Sequence, residues 1–125
     1  MSRVAAIAAV VLLAALGVFQ ALLASGMPLG RLAWGGQHEV LPGRLRIGSV
    51  AAIGTYVLIG WVVLSRAGQP GSGSGLLSVA TWVIVGFLLL GVAGNLASKS
   101  RSERLVMTPI ALVLCALTVA VAVGG

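Results

Sequence analysis

Apolar residues in this chain gather into four long runs, Val4–Leu23, Ile47–Leu64, Leu76–Leu96 and Leu105–Val123, and no charged residue interrupts any of them. A hydrocarbon core of about 30 Å needs about 20 helical residues, so each run is long enough to span. In lipid every backbone N–H and C=O must be paired internally, which leaves helices as the only way for such segments to cross. The pattern predicts an all-α, membrane-embedded four-helix bundle made of two transmembrane hairpins, the first run with the second and the third with the fourth.

Composition agrees. Hydrophobic residues make up 59% of the 125 residues and charged ones 8%, with a mean hydropathy of +1.14, outside the range of water-soluble domains. Four spans with short connections leave no mass for a second module, so residues 1–125 are read as a single integral membrane domain. The first run begins after Arg3 in the manner of a signal peptide. Its apolar core of about 20 residues nevertheless exceeds the roughly 7–15 of a signal sequence, which predicts a retained helix.

The connections differ. The first, Ser25–Arg46, is rich in turn formers (Pro28, Gly30, Gly35, Gly36, Pro42, Gly43). The second, at 67–75, is a flexible Gly/Ser linker. The third, Ala97–Arg104, is short and basic. Two starts are open for the fourth helix. Ser100 and Glu103 fit a capping box, predicting a helix from about Arg101 kinked near Pro109, whereas Thr108-Pro109 would begin a shorter one.

The net charge of +6 reads as membrane orientation and attraction to anionic lipid rather than nucleic-acid binding, because the basic residues lie in short loops without interleaved aromatics. Arg3 and Arg66 fall on one side of the membrane. Arg31, Arg44, Arg46, Lys99, Arg101 and Arg104 fall on the other, a ratio of six to two. The positive-inside rule then puts connections one and three in the cytoplasm and both termini outside. Trp61 and Trp82 are expected near the outer interface and Trp34 near the inner one.

Candidate chemistry is sparse. With no Asp, Glu, Lys, Arg or His inside a run, a small four-span multidrug exchanger, which requires an intramembrane carboxylate, is disfavoured. Gln20, Ser49, Asn95 and Thr108 lie at similar depth towards the cytoplasmic helix ends. They would line a shallow cavity ringed by the six basic residues, or else cap and cross-link helices. Tyr56 sits near mid-membrane, its hydroxyl expected on a backbone carbonyl of a neighbouring helix. Thr81 and Ser78 are expected to bond back to their own helix. His38 and Glu39 are the one adjacent acid–base pair. A loop histidine could serve as a general base, but an exposed His–Glu pair is the plainer reading. Glu39 and Glu103 are expected to form weak exposed pairs with the surrounding basic groups. Cys115, the sole cysteine, excludes an intrachain disulfide and reads as a small buried hydrophobe. No cofactor or metal-ligand pattern is visible. Small residues (Ala5, Ala9, Gly54, Gly60, Gly86, Gly91, Gly94, Ala116, Ala120) permit close helix packing within one chain or, at Gly91 and Gly94, between copies.

The segments PLGRLAWGGQHEVLPGRLR (Pro28–Arg46) and NLASKSRSERLVMTP (Asn95–Pro109) resemble a family of small, uncharacterised bacterial four-span integral membrane proteins. The resemblance implies a four-helix protein of the bacterial cytoplasmic membrane and supplies no substrate and no functional residues.

Three functions fit the sequence. The first is a non-enzymatic bundle that self-associates or joins a larger membrane complex. The second is a small channel or carrier for a neutral or anionic solute, using the polar cavity and the basic rim. The third is an enzyme acting on lipid head groups through His38, for which two acids and one histidine are a thin inventory.

Overall fold

The computed structural model describes residues 2–33, 38, 40–68 and 75–124. The chain is all-α: α1 (Ser2–Ala24), α2 (Gly43–Ala67), α3 (Leu76–Leu96) and α4 (Arg101–Gly124), with a 3-10 turn at Gly30–Leu32. The helices contain 23, 25, 21 and 24 residues. At about 1.5 Å per residue, each covers the hydrocarbon thickness.

Local chemistry sets the ends. α1 stops in a Schellman turn: Gly26 N–H donates to Leu23 O at 3.1 Å and Met27 N–H to Leu22 O at 3.0 Å, with Gly26 at φ +97°. This left-handed position suits glycine. α2 starts behind Pro42, whose carbonyl accepts from Leu45 N–H and Arg46 N–H at 3.0 and 3.1 Å. For α4 the earlier start prevails. Ser100 Oγ accepts from Glu103 N–H at 3.3 Å and Ser100 O from Arg104 N–H at 3.0 Å, and the helix runs on through Pro109. A proline removes one helical N–H, a loss that neighbouring helices make tolerable in a membrane.

α1 packs most extensively on α2 and α3 on α4, giving the two hairpins, and α1 against α4 joins them. The core between them is apolar and built on small residues. Ala6 and Ala9 of α1 let Leu13, Val63 of α2, Val85 of α3 and Leu114 and Val121 of α4 close in. Cys115 belongs to this cluster, its Sγ 4.0 Å from Val85 O. Thr81 and Thr118 turn their hydroxyls onto Leu77 O and Leu114 O of their own helices, at 2.7 and 2.9 Å.

The outside is oily. Between 22% and 33% of each helix's apolar window is buried, and residues such as Ile47, Leu76 and Leu90 stand exposed. A surface of that kind is compatible with lipid and not with water. Trp61 and Trp82 also project outward. Gly54, Gly86 and Gly94 are exposed, and an added Cβ at each would meet nothing within 4 Å.

The first connection is packed where it is described. Leu23, Ala33 and Leu41 form a second apolar cluster with Phe19, Leu29 and Leu45. The 3-10 turn rests against α4. Most of the Gly/Ser linker, residues 69–74, lies outside the described residues.

Candidate functional site

All four helices and the end of the 3-10 turn line a half-open cavity of about 320 Å³ at the end of the bundle where α1 and α3 finish and α2 and α4 begin. The volume is at the small end of ligand pockets, about 300–1,000 Å³. Helical periodicity supplies its walls. Leu16, Phe19 and Gln20 come from α1, Ala52, Thr55 and Tyr56 from α2, Phe87, Gly91 and Asn95 from α3, and Glu103, Met107, Ile110 and Ala111 from α4. Spacings of three, four and seven put each set on one helix face. Leu32 and Ala33 close over it from the first connection.

Five polar side chains therefore meet among apolar and aromatic ones: Gln20, Thr55, Tyr56, Asn95 and Glu103. Thr55 Oγ1 is turned onto Ala51 O at 3.0 Å. Gln20 Nε2 lies 3.5 Å from the Tyr56 hydroxyl, at the limit of a hydrogen bond. The Tyr56 hydroxyl thus meets a side-chain amide rather than the backbone carbonyl expected of it. Gln20 Oε1 is buried with no hydrogen-bond partner. An acceptor left in that state costs about 1–3 kcal/mol, which a donor from a bound molecule would recover.

Of the polar set expected from the sequence, Gln20, Tyr56 and Asn95 are brought together. Ser49 and Thr108 are buried in the helix packing and do not line the cavity. The Thr108 hydroxyl has no partner there.

Glu103 corrects the sequence reading. It is 6% exposed and lines the cavity. It is a buried residue and not the exposed surface acid expected from the sequence. Starting α4 at Arg101 puts Glu103 in the first turn of a membrane helix, four residues before Met107 and seven before Ile110, so it shares their inward face. The apolar run 105–123 itself still holds no acid; Glu103 enters the cavity from the first turn ahead of it. The signal was available in the run of inward positions 103, 107, 110, 111 and 114.

Two of the six basic residues expected at the rim are bonded to loop carbonyls. Arg46 is half-buried, its Nε donating to Leu41 O at 2.9 Å. Its guanidinium covers the Schellman turn so closely that a Cβ on Gly26 would lie 3.0 Å from Nη2. Arg104 Nη1 donates to Ser98 O at 2.9 Å. Both arginines fasten connections. Arg44, Lys99 and Arg101 are exposed, and the Arg31 side chain lies outside what is described. His38 is half-buried with Nδ1 unpartnered and is not a lining residue. Glu39 and Trp34 lie outside the described residues. Among the described residues no three of His, Cys, Asp and Glu gather.

At the opposite end Arg66, counted from the sequence as a loop charge, is 2% exposed. Its Nη2 donates to Ala122 O at 3.2 Å. The last carbonyls of a helix lack partners within it, and the negative end of its dipole favours a cation there. Arg66 so ties the last turn of α2 to that of α4.

Outside the bundle, α1 and α2 flank an apolar groove of about 520 Å³ bordered by Ala14, Gly17, Ala21 and Gly60. No protein-family model matches the chain, and neither the curated proteins nor the solved structures include a match to it.

Proposed function

We propose that this small polytopic membrane protein is a non-enzymatic solute-binding protein, a minimal carrier or the binding subunit of a larger membrane complex, with the central cavity as its site. One observation carries the reading: each of the four helices brings a polar residue to a single apolar-walled space, where Gln20 Oε1 is buried without a hydrogen-bond partner and Glu103 is itself buried. Burying such groups is unfavourable unless something answers them. The cavity ends at the tight cluster around Ala9, Leu13, Val63 and Val85, which favours a pocket over an open channel. Its described lining offers an anion no cationic side chain, so the solute class moves from neutral or anionic to neutral or cationic.

Native mass spectrometry of the full chain released directly from its membranes tests this. A retained small molecule in the wild type, lost in Gly91→Leu, is the expected result. Gly91 borders the cavity, and an added Cβ meets nothing within 4 Å, so a leucine can be introduced at its mouth without an initial clash. No bound molecule under any release condition would overturn the reading.

The six-to-two distribution of basic residues and the family resemblance support a bacterial cytoplasmic membrane with connections one and three inside. A membrane-impermeant maleimide applied to intact cells should leave Lys99→Cys unlabelled in a Cys115→Ala background. Labelling from outside reverses the topology. Self-association is the second reading, favoured by Gly86 and Gly94, which expose backbone on α3. A single cross-linked dimer through Gly94→Cys would support it.

A further inference from the structure

We infer that the solute is a small organic cation with an apolar or aromatic body, its positive group answered by Glu103. The inference rests on the cavity reading above and adds the ligand's chemistry to it.

Glu103 is the one charged side chain among the described lining residues, and nine-tenths of it is buried. The nearest arginine in sequence, Arg104, gives its Nη1 to Ser98 O, and Arg46 gives its Nε to Leu41 O. A carboxylate withdrawn from water is costly unless an opposite charge approaches it. The remaining wall suits a cation with an organic body. Phe19, Tyr56 and Phe87 border the same space, and aromatic faces attract cations within about 6 Å. Asn95 and Gln20 add amide oxygens that accept hydrogen bonds.

The exposed Arg44, Lys99 and Arg101 act in the other sense, slowing a cation's approach. At physiological salt such surface charges are screened over about 8 Å, while a buried carboxylate is screened much less. They therefore bear on the rate of arrival more than on affinity, and they disfavour multivalent cations.

The test uses the full chain in phosphatidylcholine nanodiscs, with empty nanodiscs subtracting partition into lipid. Three probes are compared by equilibrium dialysis: benzyltrimethylammonium, its isosteric uncharged carbon analogue neopentylbenzene, and the smaller aromatic anion benzenesulfonate. Benzyltrimethylammonium should bind at least tenfold more tightly than either of the others. Glu103→Gln should remove that preference while leaving neopentylbenzene binding unchanged, Glu103→Asp should retain it in part, and Gly91→Leu should abolish binding of both. Neopentylbenzene binding as well as the cation, with no effect of Glu103→Gln, would overturn the inference and leave the cavity reading standing. Preference for benzenesulfonate would do the same. If none of the probes binds while native mass spectrometry still finds a retained molecule, the cation class is wrong and the cavity reading survives; if that too is negative, both fall. Should Glu103→Gln fail to fold, the wild-type ratio of cation to neopentylbenzene decides alone.

Discussion

The two ends of this bundle are built on opposite principles. In one half, Ala6 and Ala9 let Leu13, Val63, Val85 and Val121 close to full burial, and Arg66 fastens α2 to α4 beyond them. In the other half the same four helices line a half-open cavity whose polar groups are only partly satisfied. Association in lipid gains little from hydrophobicity and depends on close packing. The tight half can therefore supply the cohesion that the hollow half forgoes, and the hollow half is free to bind.

That contrast fixes the ranking of mutational effects, each measured as thermal unfolding of the detergent-solubilised chain by circular dichroism. Leu13→Ala, in the tight cluster, should cost most, about 2–5 kcal/mol, since it opens a void where the neighbours are already in contact. Arg66→Met keeps much of the volume but removes the charged bond to Ala122 O, for about 1.5–3 kcal/mol. Gly26→Ala strains a left-handed residue and crowds the Arg46 guanidinium, costing about 1–2 kcal/mol. Ser100→Ala deletes the α4 cap and should cost about 1 kcal/mol. Gly91→Leu, at the cavity wall, should fall within about 0.5 kcal/mol of wild type. A large loss at Gly91 together with a small one at Leu13 would erase the distinction between the halves.

The cavity residues differ in how far the sequence exposed them. Gln20, Tyr56 and Asn95 stand out because a polar side chain in an otherwise apolar run is conspicuous wherever it points. Glu103 does not, because it sits among Lys99, Arg101 and Arg104 in a segment that reads as a solvated turn. Only the Ser100 cap, by lengthening α4 at its start, carries Glu103 into the bundle. Arg46 and Arg104 bond to loop carbonyls, which the sequence reading did not foresee, for a related reason. Arginine's long stem lets the guanidinium fold back onto nearby carbonyls, and loop carbonyls at helix ends are short of donors.

Span number, helical class and the basic bias follow from the sequence by itself, since they depend on hydropathy and length summed over about 20 residues and are insensitive to any single contact. Which polar groups face one another depended on tertiary structure. A change of a few residues in where a helix begins decides whether a carboxylate points into the bundle or into water, and that choice belongs to caps and packing rather than to composition. The packed half, the hollow half and the acid between helices were decided there.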